Sequence, residues 1–592
     1  MMEEMNGKAH TAHMIQERDP KMTFWLFFSI TVCVFGNSFL YGYNIGVVNS
    51  PGPLLKAFYF QIYLARDGIE TVYIPESKSL HYVELPESKR AAISTTAATT
   101  TTKTLSVVVS NSSQGPNYAA GSNASTTLAP TTTAHPMLAK SKKEIEEDNF
   151  IELMWSITVA LFVFFGMVGA FTSGRVADYF GRKKGMIIIT VLMFVAAIFG
   201  AISSVAKSPE CLMVSRVFVG LHNGISVSLA SLYLAEISPK KIRGAVGTCH
   251  QLFITIGILW SMILGLPDLS GTWGAWPVLF GFNALPALVC LLLFPLCPES
   301  PRYMLIKKND EDGAKKGLVK LRGYSDVEDE LEEMRVEARK ASTVESFSLK
   351  KLLTTPELKL PIIIAVVVQI AQQWSGINAA MSYSSFIFKQ AEVPEDTIPY
   401  VIVGQGAINV LATIVCVPLM EKLGRRPLLI FPMCGMVLSF LVLTISLNLL
   451  QSGNFDDQKF ALAMVSITVM MTYVIGFAVG LGPIPFIVVS EIFRQEPRAA
   501  AMSFSLAFNW ICNFILMLTF RFIQKGIGAY TYLIFIVILV ASIIFIVIFV
   551  PETKNKTFDE VAQSIAFGRA KKGSAFGQDA EEMQPMGESQ KV

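Results

Sequence analysis

The chain has 592 residues, of which 52% are hydrophobic and 16% charged, with a net charge of +3. So little charge cannot cover the surfaces of several water-soluble domains, and a balance so near neutral gives no electrostatic footprint for nucleic acid. The apolar residues fall in runs of about 20 or more, long enough to cross a bilayer core of about 30 Å as helix. The reading is a polytopic, all-α membrane protein whose surroundings are a lipid bilayer.

In chain order, residues 1–22 are polar and precede the run "MTFWLFFSITVCVFGNSFLYGYNIGVV". That run is too long for the apolar core of a signal peptide and lacks a small-residue cleavage site, so it reads as a retained first span. Asn44 stands near its end, where an apolar helix has no evident need of an amide. Residues 51–149 follow, with the tract "ISTTAATTTTKTLSVVVSNSSQGPNYAAGSNASTTLAPTTT". This Thr/Ser/Ala composition cannot bury a core and predicts a disordered loop. It carries glycosylation sequons at Asn111 and Asn123.

Apolar runs near 150–172, 186–206, 210–234, 244–266 and 275–296 complete a first set of six spans, placing one bundle within 23–300. The interruption 301–357 holds "DEDGAKKGLVKLRGYSDVEDELEEMRVEARKA", whose helix formers and mixed charge predict short amphipathic helices in water. Six further runs, near 358–389, 397–419, 427–450, 459–489, 498–520 and 529–550, form a second bundle over 358–550, followed by a polar tail, 551–592. None of the eight cysteines has metal-ligand spacing and none lies in the Thr-rich loop, so they read as small packing residues.

The short loops fix an orientation. "GRVADYFGRKKG", "SPKKIRG", "EKLGRRP" and "FRQEPR" gather Lys and Arg on one face, while "VAKSPE" and "GLPDLSGTWGAW" on the other are nearly free of them. The positive-inside rule makes the basic face cytoplasmic, with both termini inside and the Thr-rich loop outside. "RFIQKGIG", basic but assigned by parity to the outer face, runs against the pattern.

The two sets of spans repeat their punctuation. Gly181-Arg182-Lys183 recurs as Gly424-Arg425-Arg426, "AEISPKKIRGA" as "SEIFRQEPRAA", and "PESPR" as "PETKNK", always about 250 residues apart. Two pseudo-symmetric six-helix bundles with a path between them are the physical reading. With "GRVADYFGRKK", "RVFVG", "EISPKKIRGAVGTCHQL", "PESPR", "QQWSGINA", "GRRP", "GPIPF" and "PETKNKTFDE", the chain resembles the sugar-porter branch of the major facilitator superfamily, and within it the facilitative hexose transporters of animals. The resemblance implies the major facilitator fold of twelve spans, a hexose substrate moved by alternating access at the plasma membrane, no cofactor and no enzymatic activity. The Thr-rich loop has no counterpart in it.

Within the spans, amides are the chemistry to weigh, because polar groups facing lipid are costly. "QIAQQWSGINA" places Gln369, Gln372 and Gln373 on one broad helix face, with Asn378 beyond Ser375-Gly376, a pair that loosens the helix. Amides donate and accept, as sugar hydroxyls do. The same groups also serve as glue between helices, and the sequence leaves both readings open. The resemblance assigns sugar contacts to Gln372, Gln373, Asn378, Gln251, Asn409 and Asn513, with Trp510 against the sugar's C–H face. Pro483 and Pro485 in "GLGPIPF" break helix hydrogen bonding; the resemblance makes that bend a gate. Asp178, Arg182, Glu236, Arg243, Glu421, Arg425, Glu491 and Arg498 sit at helix ends of the basic face. They read as latches closing that face in an outward-open state, or as solvated topology signals.

Proton-coupled sugar symporters of the branch resemble "GYD" where this chain reads Gly42-Tyr43-Asn44, with Arg216 as the accompanying arginine. An amide cannot carry a proton, so Asn44 favours a uniporter over a symporter. His250, near the basic-face end of its span, is a poor substitute. Ala478, Phe486, Ser382 and the triplet Gln369-Ile370-Ala371 depart from the glucose-selective pattern and imply a broader choice that includes fructose. A non-transporting sugar sensor and an adhesive role for the Thr-rich loop are the rival readings.

Overall fold

The computed structural model describes residues 22–49, 51–66, 71–74, 79–82, 142–239, 242–343, 349–452, 456–493, 495–554, 556, 560–561 and 563–565. Among the described residues, eleven helical stretches are long and apolar enough to cross a bilayer: Phe24–Gly46, Asn149–Phe180, Arg182–Val205, Pro209–Ile237, Val246–Leu264, Trp276–Leu296, Pro356–Ser382, Ile398–Met420, Arg425–Gln451, Lys459–Ile492 and Ala500–Phe549. The last holds two helices, Gln495–Ile527 and Thr531–Phe549, separated by a turn in which Gly528 takes φ +56°. These are spans 1 to 12, six in each half.

Hydrophobicity does not drive helices together in lipid, so close backbone approach has to. Spans 2 and 4 show how it is achieved. A Cβ added at Gly224 would lie 2.0 Å from the carbonyl oxygen of Gly166, and one at Gly220 would lie 2.5 Å from that of Phe162. Spans 1 and 5 meet similarly, with Gly42 against the Ile254 carbonyl and Gly257 against that of Phe39. Span 1 is wound as a π-helix over Val34–Phe39. There Asn37 donates to the Cys33 carbonyl, and the Ser38 hydroxyl lies 2.6 Å from Nδ1 of His250 on span 5.

Between the halves, the interruption forms the helices Pro301–Ile306, Glu311–Arg322, Glu328–Thr343 and Leu349–Thr354. The first three pack on a small apolar cluster including Leu305, Leu318 and Leu331. Arg322 ties them to the first half, donating to the Ile237 carbonyl at the end of span 4 while pairing with Glu330.

Residues 59–152 form a second, smaller unit. It contains an antiparallel ladder of Thr71–Ile74 with Ser79–Tyr82, in which Thr71 faces Tyr82, and an edge-on contact of Tyr63 with Phe150. A helix also spans Gly52–Arg66. Helix and ladder precede the Thr/Ser/Ala tract, and "LLKAFYFQIYLA" within the helix is rich in large apolar side chains. The Thr-rich tract, with Asn111 and Asn123, lies outside the described residues.

Candidate functional site

Two spans of the second half are broken. Span 7 stops at Trp374, turns through Ser375 and Gly376, which takes φ +90°, and resumes as Ile377–Ser382. Span 10 stops at Val479 and resumes at Ile484. Each proline of "GLGPIPF" lacks the N–H that a helix would donate four residues back, so Pro483 strips the Val479 carbonyl of its partner and Pro485 strips that of Leu481. Inside a membrane protein those carbonyls need other donors. Cys416 of span 8 supplies a thiol to Val479 at 3.3 Å. Gln372 of span 7 supplies both amide hydrogens of its Nε2, to Leu481 at 2.8 Å and Gly482 at 2.9 Å. The span 7 break is served in return: the Tyr473 hydroxyl of span 10 donates to the Ser375 carbonyl at 2.8 Å.

Around Gln372 the amides form one buried network. Asn509 of span 11 donates from Nδ2 to Gln369 at 2.8 Å and Gln372 at 2.6 Å, and accepts from Gln373 at 3.0 Å. Asn378 donates to Gln373 Oε1 at 2.5 Å. The sequence reading missed Asn509, although it is an amide in an apolar run, one turn before Asn513 and next to Trp510. The glutamines thus join spans 7, 10 and 11, which is the reading of them as glue between helices.

The other candidates are more dispersed. Asn513 and Asn378 line a narrow cavity with Ser382, Tyr41, Phe162 and Arg216, and Asn513 Oδ1 is a buried acceptor with no hydrogen-bond partner among the described residues. Trp510 sits edge-on to Tyr41 of span 1 and fills the space left by Gly166 of span 2, so it is a contact between the halves. Asn409 is buried within span 8, while Gln251 on span 5 is half-buried.

Asn44 is fully buried and faces Asn283 of span 6. Its Nδ2 donates to Asn283 Oδ1 at 2.8 Å and to the Leu40 carbonyl at 2.8 Å, and Asn283 donates back to Asn44 Oδ1 at 3.3 Å. Arg216 reaches the backbone carbonyl of Asn44 at 3.2 Å and lies over the Phe162 ring at 4.5 Å. The position is therefore an amide pair locking spans 1 and 6. Asn283, also an amide in an apolar run, is a second residue that sequence reasoning passed over.

On the basic face the charges pair inside each half. Arg182 meets Glu236 at 2.8 Å and Arg425 meets Glu491 at 2.8 Å. The hydroxyls of Ser300 and Thr553 donate to Glu236 and Glu491, each at 2.5 Å. Glu299 accepts from the backbone N–H groups of Arg182 and Lys183, as Glu552 does from those of Arg425 and Arg426. The repeat seen in the sequence is thus a repeated helix N-terminal cap holding a carboxylate. In this conformation Arg182 and Arg425 are each held by a glutamate of their own half. Asp178 pairs with Lys307 in solvent at 3.3 Å. Arg498 donates to the Phe493 carbonyl at 3.3 Å. The side chains of Arg243 and Glu421 lie outside the described residues.

The halves do meet at the opposite face. Asn49, just past span 1, donates to Ser384 at 2.5 Å and accepts from the N–H of Ser385 at 3.4 Å. Tyr400 of span 8 donates to Asp268, in the loop after span 5, at 2.5 Å.

Comparison with known proteins agrees with this architecture. Residues 29–564 match the family described as Sugar (and other) transporter. The chain is 34% identical over 569 residues to solute carrier family 2, facilitated glucose transporter member 5 of Homo sapiens, covering 96% of this chain and 97% of that protein. It is 39% identical over 417 residues to facilitated glucose transporter member 1 of Gallus gallus, covering 70% and 84%. The fold superposes on the inward open conformation of the xylose transporter XylE from E. coli with a TM-score of 0.63 at 20% identity, covering 91% of this chain and 100% of that one. The chain is a multi-pass membrane protein belonging to the sugar (and other) transporter family.

Proposed function

We propose that this protein is a facilitative hexose uniporter, carrying glucose and fructose by alternating exposure of the amide network of its second half. The observation that carries the reading is the network itself. Gln369, Gln372, Gln373, Asn378 and Asn509 offer neutral donors and acceptors in a dry place, where a sugar hydroxyl can exchange one amide partner for another without desolvating a charge. Gln251, Asn409, Asn513 and Trp510 complete the sugar's surroundings as the halves rock. The relatives named as facilitated glucose transporters support the substrate class and the absence of coupling.

Uniport is further supported by the Asn44–Asn283 pair. Two amides satisfy each other there, so the position cycles without binding or releasing a proton. We place the basic face in the cytoplasm, with both termini, and the Thr-rich loop with Asn111 and Asn123 outside the plasma membrane. The contacts of Asn49 and Tyr400 then close the outer face. The basic-face ion pairs act as anchors that keep each half rigid while it moves.

Uptake of labelled glucose, fructose and xylose into proteoliposomes tests the substrate class. Saturable uptake of both hexoses, each competing with the other, is expected. Failure of every sugar to enter faster than into protein-free vesicles contradicts the proposal.

A further inference from the structure

We propose that Gln405 of span 8 is a further sugar-binding residue, a specificity contact whose amide takes one hexose hydroxyl. The inference rests on the transport reading above. Its ground is how little the protein gives this side chain. Gln405 is fully buried, yet among the described residues its amide nitrogen meets only the thioether sulfur of Met381, at 3.5 Å, and its Oε1 meets no partner. A glutamine brings two N–H donors and a carbonyl oxygen, and a thioether is a weak acceptor.

Other buried amides are better served. Asn44 and Asn283 exchange hydrogen bonds, and the oxygens of Gln372 and Gln373 accept from Asn509 and Asn378. Asn37 also donates to a methionine sulfur, that of Met186, but gives its other hydrogen to the Cys33 carbonyl. Gln524 has an unpartnered oxygen, yet its nitrogen serves Gln390 and Tyr532. Leaving an amide as poorly paired as Gln405 inside a membrane protein costs stability that an apolar side chain of the same size would not.

The position points to the substrate as the missing partner. Gln405 stands one turn from Asn409, on the same face of span 8. It lies five residues, about 7.5 Å, inward of Tyr400, whose contact with Asp268 belongs to the face opposite the basic loops. Met381 lies in the resumed part of span 7, beside Ser382, which lines the narrow cavity with Asn378 and Asn513. Only an unbranched, freely rotating side chain occupies the amide of Gln405. When Met381 rotates away, a hydroxyl can serve Oε1 and Nε2 together, where the sulfur serves Nε2 alone. A neutral amide favours such a hydroxyl over an ionised group, which would leave water without a counter-charge.

The test pairs substitutions at Gln405 with sugars that each lack one hydroxyl. Inhibition of labelled-glucose exchange by glucose and by the set of its monodeoxy analogues is measured in proteoliposomes, for the parent and for Gln405→Met. The methionine keeps length and volume without the amide. A site that hydrogen-bonds a hydroxyl rejects the analogue lacking it. In the parent, one analogue should inhibit about tenfold more weakly than glucose. In Gln405→Met, glucose itself should bind about tenfold more weakly, and that analogue's disadvantage should shrink to within about twofold. Gln405→Ser, too short to reach, should give the same readings and carries the test if the methionine variant does not fold. A residue that only packs span 8 would weaken glucose and every analogue in equal proportion. Analogue ratios unchanged from the parent therefore overturn the proposal, as do a glucose affinity unchanged in the variants and a parent indifferent to every analogue. If the parent neither binds nor exchanges hexose, the transport reading fails and takes this contact with it; a parent that exchanges hexose beside unchanged ratios removes the contact alone.

Discussion

Replacing Asn509 with leucine removes the centre of the amide network while nearly conserving volume. Three hydrogen bonds go at once, to Gln369, Gln372 and Gln373. Side-chain hydrogen bonds between membrane helices average about 0.6 kcal/mol, because the released groups find other partners, and reach about 1.7 kcal/mol where they do not. Three such bonds amount to about 2 kcal/mol, or roughly a thirtyfold change in an equilibrium constant. The loss should fall on sugar affinity more than on folding, since the glutamines keep their packing but lose their fixed directions. Expected from titration of the purified variant with glucose is a dissociation constant raised between tenfold and a hundredfold, with a melting temperature lowered by only a few degrees. An Asn509→Leu protein that binds glucose within twofold of the parent would refute the claim that this network holds the sugar site in shape.

Three further outcomes follow from the geometry. Asn44→Asp puts a carboxylate in a fully buried place beside Asn283 and Arg216, so exchange should slow severalfold and acquire a pH dependence that the parent lacks; superimposable pH profiles would show that Asn44 does not set the absence of coupling. Gly224→Ala drives a methyl into the Gly166 carbonyl and should cost about 1–3 kcal/mol of overpacking, read as a lower melting temperature and a smaller folded yield; a variant as stable as the parent means spans 2 and 4 do not cross so closely. Burial raises the pKa of Glu552, but the N–H groups of Arg425, Lys554, Arg426 and Thr553 hold it below its ordinary value on balance. Its stabilisation is therefore full above about pH 4.3, the ordinary carboxylate value, and is lost as pH falls through the depressed folded value. Glu552→Gln should be less stable at pH 7 yet lose less between pH 6 and pH 3 than the parent does; equal losses over that window contradict the assignment.

The spans were legible because hydropathy over about 20 residues is a local property, and the bend at Pro483 and Pro485 because a missing N–H is equally local. The partners of those orphaned carbonyls were not legible. Counting four residues back from each proline finds Val479 and Leu481, but nothing in a linear sequence says that Cys416 and Gln372 will fill them. Amides in apolar runs stood out, yet Asn509 and Asn283 were passed over beside neighbours that drew attention first. The charges of the basic face were recognised by type, while their pairing within each half depends on the turns at Gly181 and Gly424, both with φ near +90°, which bring Glu299 and Glu552 onto helix N-termini. Helix Gly52–Arg66 occupies the apolar start of a segment whose Thr- and Ser-rich remainder dominates its overall composition.

Counterflow in proteoliposomes distinguishes uncoupled from proton-driven hexose movement. Vesicles loaded with unlabelled glucose or fructose receive the labelled sugar outside, with and without an imposed proton gradient. The account predicts transient accumulation of label that decays to equilibrium and is indifferent to the gradient. Sustained accumulation that appears only with the gradient and collapses with it would contradict the account, because some group other than Asn44 would then be carrying a proton through the cycle.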